Sequence, residues 1–182
     1  MDVTTLLRIE RTTKLGRLGE QLAEERLTAA GFTNVQNLNR GMNFPYADIL
    51  ANRNGQLFLI GVKSRNEFQD NGKLNPCYNA VLIRNDKKKL LEGLGKTEAQ
   101  ITAILWEGVE KIAARWQATP AWIAVAMRPE QGMYSAYFGL VSAIRHRRSI
   151  PMKPADRAAY FELAPIGTKD ARVTADLLNR AA

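Results

Sequence analysis

With 182 residues, 46% of them hydrophobic and 24% charged, the chain can bury an ordinary core as one domain. Apolar runs such as "LFLIGV" are far too short to cross a bilayer, and "MDVTTLLRIERTTK" lacks the cationic start, apolar run and small-residue cleavage site of a secreted protein, so a cytoplasmic protein with no membrane partner is expected. One cysteine, Cys77, excludes an internal disulfide, one histidine, His146, makes a cysteine/histidine zinc site untenable, and the net charge of +8 favours a polyanionic partner such as nucleic acid.

Lys14 to Ala30, "KLGRLGEQLAEERLTAA", reads as a helix closed by Gly31, with Leu15, Leu18, Leu22, Ala23, Leu27 and Ala30 as its apolar stripe. Glu20 falls about 20° beyond Leu27 at the edge of that stripe, and Glu24 lies one turn further on. A poor strand around Val35 to Leu38 leads into a polar loop ending at Pro45. Tyr46 to Asn52 and Gln56 to Ser64 then read as two strands joined by Asn54-Gly55, a pair suited to a type I′ hairpin turn because both positions need φ > 0. A polar loop, "NEFQDNGKLN", follows, then a short strand in "CYNAVLI" and a basic helix from Asp86 to Leu94 ended by Gly95. Thr97 with Gln100 forms a capping box. It opens an amphipathic helix with Ile101, Ile104, Leu105, Val109, Ile112 and Trp116 on one face, stopped by Pro120. "AWIAVAM" and "MYSAYFGLV" are two further strands, and a last helix is expected near Ala171 to Arg180.

This order argues an α/β or α+β domain around a mixed sheet, spanning residues 1–165 with 166–182 as a helical extension of it. Trp106, Trp116 and Trp122 are expected in the core, and Cys77 is expected to serve packing. Lys87, Lys88 and Lys89, with Arg145, Arg147 and Arg148 in "RHRR", are candidate phosphate contacts or solvated faces.

The hairpin carries the chemistry. With Asn54 and Gly55 as its loop, Arg53 faces Gln56, Leu50 faces Leu59 and Asp48 faces Gly61, so Asp48, Gly61 and Lys63 share one side while Phe58, Ile60 and Val62 take the other. Directly opposed residues have Cβ atoms about 4.5–5.5 Å apart, close enough for acids at 48 and 61 to hold a hard cation between them. From "GRLGEQLAEERLTAAGF" through "GVKSR", the sequence resembles the PD-(D/E)xK nuclease superfamily, and within it Holliday-junction-resolvase-like and restriction-endonuclease-like domains. The resemblance implies a restriction-endonuclease-like fold with a central mixed β-sheet flanked by α-helices. It also implies Mg²⁺ (or Mn²⁺) as cofactor, DNA as partner, and a homodimer. It maps the helix glutamate onto Glu20, the metal-binding aspartate onto Asp48, the catalytic lysine onto Lys63 and the metal-facing carbonyl onto Val62. The departure is Gly61, where the family carries an acid or glutamine. Three explanations follow: the acid has moved to Glu20, Glu24 or Glu67; the protein binds without cutting; or glycine replaces a native glutamate. The expected function is a Mg-dependent DNA endonuclease. The alternatives are a catalytically inactive nucleic-acid-binding subunit of a repair, restriction or mobile-element complex, and a protein-interaction scaffold using the long amphipathic helix.

Overall fold

The computed structural model describes residues 2–40 and 44–177. Helix α1 (Val3–Ala29) starts well before the apolar stripe, capped by the Asp2 carboxylate, which accepts from Thr5 N at 2.8 Å. Leu15, Leu18, Leu22, Ala23 and Leu27 are buried as the stripe requires. Strands β1 (Thr33–Asn37), β2 (Ile49–Arg53) and β3 (Gln56–Asn66) follow. Asn54 and Gly55 take φ 51° and 78°, and the ladder pairs Arg53 with Gln56 and Leu50 with Leu59, the register the turn chemistry demands. β2 begins later than expected. Tyr46 sits at φ 71° and the Ala47 N–H donates to Pro45 O at 2.9 Å, which holds Tyr46 and Ala47 out of the ladder.

The rest of the chain comprises β4 (Cys77–Asn79), α2 (Asn85–Gly93), α3 (Glu98–Arg115), β5 (Thr119–Arg128), β6 (Met133–Leu140), α4 (Val141–Ile144), β7 (Ser149–Pro151), α5 (Pro154–Arg157) and β8 (Phe161–Lys169). Both hydrogen bonds of the Thr97–Gln100 capping box form at the start of α3. Six strands make one sheet in the order β1-β2-β3-β5-β6-β8, and β4 pairs with β7 in a second, small sheet. Only β3 and β5 run parallel in the large sheet, which is therefore mixed. Both are near-continuous apolar runs, because both of their faces are covered.

α1 covers one face, packing on Phe58, Ile60, Val62, Ile123 and Val125. On the other face Trp122, Ala124 and Ala126 meet Trp106 and Val109 of α3 and Tyr78 and Ile150 of the small sheet. Each fully buried leucine or isoleucine contributes roughly 1.5–3 kcal/mol relative to exposure. At Gly19 the helix comes so near the sheet that a Cβ there would stand 1.6 Å from Ser64 Oγ. The result is a mixed α/β fold with helices on both faces of the sheet.

Five expectations need correction. Pro120 does not stop α3, which ends at Arg115; it pairs with Leu59 near the start of β5, where a missing N–H costs least. Trp116, just past that end, is 41% exposed and only flanks Phe44, because Gln117 at φ 51° turns the chain away. Cys77 is exposed, since in its three-residue strand the inward position belongs to Tyr78. The boundary at 165/166 falls inside β8, which pairs with β6 from Phe161 to Lys169. Within 171–177 the helical expectation reduces to a 3-10 turn, Ala175–Leu177, and residues 178–180 of the expected helix lie outside the described residues.

Candidate active site: an acid cluster beside a basic cleft

The expected pairing of Asp48 with Gly61 does not form: the ladder pairs Ile49 with Ile60, and the Asp48 N–H also turns to Ile60 O at 2.8 Å, so the register breaks at Asp48. Its side chain then takes over the ladder: Oδ2 accepts from Val62 N at 2.6 Å and Oδ1 from Asn39 Nδ2 at 2.8 Å. The same Asn39 amide reaches Glu20 Oε1 at 3.4 Å. Asn37 Nδ2 donates to Glu20 Oε2 at 3.2 Å and to Glu24 Oε1 at 2.8 Å. Two asparagines from the end of β1 thus stitch together three carboxylates, one from β2's approach and two from α1. Burial raises the Glu20 carboxyl above its ordinary value; the Asn37 hydrogen bond opposes this, and the nearby Asp48 and Glu24 charges add to it.

Among the described residues no group of three His, Cys, Asp or Glu side chains is arranged to hold a metal ion. Asp48 and Glu20 nevertheless flank a single amide nitrogen that donates to both. Val62 directs its N–H at Asp48, and because N–H and C=O of one strand residue face the same neighbour, its carbonyl faces that edge too. One or two carboxylates, with water or phosphate oxygens completing the shell, are a donor set that Mg²⁺ accepts. In donor chemistry the site fits the ion.

Lys63 shares a sheet face with Gly61: their β5 partners, Ala124 and Trp122, both pack on the α3 side. It lines a cleft of about 480 Å³ together with Gly16, Ser64, Arg65 and Asn75. Glu20 and Glu24 line a separate groove with Arg17, Asn37 and Arg40, and Gly16 borders both. The structure therefore gathers Glu20, Glu24 and Asp48, and sets Lys63 in the adjoining cleft.

Gly61 is fitted to its surroundings. A Cβ there would lie 2.9 Å from the Tyr46 carbonyl oxygen and 3.4 Å from its ring. That ring is held by a 2.8 Å hydrogen bond from its hydroxyl to Ala121 O and by an edge contact with Trp106. Burial raises the Tyr46 hydroxyl well above the ordinary tyrosine range, so it stays a neutral donor. Glu67, a candidate for the missing acid, is only 4% exposed and bound by Arg128 and by Arg157, whose Nη1 is 2.7 Å from Oε1. Burial pushes its carboxyl up, but the two arginine hydrogen bonds outweigh this and hold it below the ordinary value. It is spent as a ligand because β3 ends at Asn66 and its side chain turns into that arginine pair.

The two basic runs converge on α3. Lys88 and Arg148 both pair with Glu98, and Arg145 pairs with Glu110 at 2.8 Å. Arg147 donates to His146 Nε2 at 2.8 Å, while Lys87 and Lys89 are exposed on α2. Sequence reasoning missed Asn37 and Asn39. Their spacing in "NLN", two apart after a strand, is the one signal that could have placed both beside Asp48. No helix among the described residues is long and apolar enough to cross a membrane. Comparison with family models, curated proteins and solved structures finds no match.

Proposed function

We propose that this protein is a Mg²⁺-dependent DNA endonuclease of PD-(D/E)xK type that works with two carboxylates in place of three. The observation that carries this reading is the meeting of Asp48 and Glu20, from separate elements, on the one Asn39 amide, beside the Val62 backbone and one residue from Lys63. Asp48 and Glu20 would hold the cation, with the Val62 carbonyl facing it. The ion, when bound, lowers the pKa of a water and offsets negative charge on the phosphate. The protein's own contributions are distinct. Asn37 and Asn39 orient the carboxylates; burial first, and then the Asp48 and Glu24 charges, raise the Glu20 carboxyl, and a cation beside it would favour its charged form. Lys63, projecting into the cleft, neutralises charge that grows on the phosphate oxygens. Metal-dependent nicking of plasmid DNA tests the reading. Asp48→Ala and Lys63→Ala should each lower the rate at least about a hundredfold, and nicking that survives both changes refutes it.

A second reading rests on Tyr46. Its ring and carbonyl fill the space from which a side chain at position 61 would start, leaving a site with one acid fewer than the family pattern. A protein that binds DNA without cutting it would be built this way. Binding without nicking at any Mg²⁺ or Mn²⁺ concentration is its expected signature.

A further inference from the structure

We infer that the hairpin following β3 presents Phe68 as a stacking platform for an unpaired nucleotide, so that the preferred DNA carries a single-stranded segment beside the cleft. The inference rests on the DNA-binding reading above and adds the substrate's form.

Phe68 is 42% exposed and lines the same cleft as Lys63. An exposed phenylalanine on a loop is ordinarily mobile surface, but the backbone that carries this one is hydrogen-bonded across a hairpin. Phe68 bridges to Leu74 across the hairpin, Gln69 N donates to Lys73 O at 2.7 Å, and Gly72 N donates to Gln69 O at 2.8 Å. At its base Asn75 N donates to Glu67 O at 2.8 Å, and Asn75 Nδ2 donates to Asn66 O at 2.6 Å. The Arg128 guanidinium lies over the Phe68 ring, 5.4 Å from its centroid, and is itself held by the buried Glu67. These contacts favour one placement of the ring before any ligand arrives, which lowers the ordering cost of stacking a base on it.

The rest of the cleft suits one nucleotide. Its volume of about 480 Å³ falls within the small-ligand range of about 300–1,000 Å³. Lys63 and Arg65 alternate on one side of β3 and supply positive charge for a phosphate, while Asn75 and Asn79 offer amide groups to a base edge. Asp70 is the acid in the lining. Bases inside a duplex hide their faces, whereas an unpaired base can stack on an aromatic ring whatever its identity.

The test compares fully paired duplex, a forked duplex with a single-stranded arm, and single-stranded DNA, by fluorescence anisotropy without divalent metal. The wild-type protein should prefer the forked and single-stranded forms. Phe68→Ala should lower their affinity relative to duplex by about tenfold, the effect of losing one stacked base, and Phe68→Trp should restore it. A Phe68→Ala protein that keeps the wild-type preference, or one weakened equally on all three DNAs, overturns the inference while leaving DNA binding intact. Failure of the wild-type protein to bind any of the three overturns the inference, and absence of Mg²⁺-dependent nicking as well overturns the proposed function with it.

Discussion

At the scale of single residues, Gly61 decides what the site can become. Its Cβ position is blocked at 2.9 Å by a backbone oxygen, that of Tyr46, which cannot rotate away as a side chain would. Gly61→Ala should therefore destabilise the protein by about 1–3 kcal/mol, the usual cost of overpacking a filled interior, read as a lower urea midpoint at unchanged slope. A larger acid meets the same obstacle first, so Gly61→Glu should lose stability without gaining cleavage. A Gly61→Glu protein of wild-type stability that nicks faster would show that position 61 is an open vacancy after all. The pairing of Arg53 with Gln56 and of Leu50 with Leu59 was legible in the sequence because it depends only on a two-residue turn, whereas the break in register at Asp48 was not. The obstruction was not, because it arises from the left-handed Tyr46, a residue read as ordinary strand.

At the scale of elements, the ends of β3 and β5 are bound to α5 through one buried carboxylate. Glu67 and Arg157 are 4% and 5% exposed, so removing one partner strands a charge, and Arg157→Ala should cost about 3–5 kcal/mol. The pH dependence follows from the direction of the Glu67 shift. Its folded pKa lies below 4.5, its value in the open chain, so the stabilisation is fully present above that value and is lost as pH falls through the folded one. Urea unfolding at neutral and acid pH should show this loss in the wild type and much less of it in Glu67→Gln. An equal pH dependence in the two proteins would count against the network. Elements with strong local signals were readable: the Asn54-Gly55 hairpin, the Thr97 capping box and the leucine stripe of α1. β8 was not, because as an edge strand it exposes Phe161, Glu162, Pro165 and Ile166 and so shows no clean alternation. α1's first three turns also went unread, although Val3, Leu6 and Leu7 are spaced three and four residues apart.

At the scale of the whole molecule, a charge of +8 is spread unevenly between internal pairing and solvent. Lys88 and Arg148 spend theirs on Glu98, whereas Lys87 and Lys89 remain exposed. If DNA lies across about four phosphates' worth of such charge, affinity should fall roughly a hundredfold between about 50 and 200 mM salt. Lys87→Ala or Lys89→Ala should each flatten that salt dependence by about one unit of slope if α2 touches the backbone, and an unchanged slope would place the DNA elsewhere. The close approach of α1 to the sheet has a consequence for all of this. Gly19 is the immediate neighbour of Glu20, and with only hydrogen on its α-carbon it lets the helix settle onto Ser64. Any bulkier residue there would act as a shim under the helix and lift one carboxylate away from the other. The gap across which an ion would be gripped is thus gauged by the side chain that Gly19 lacks.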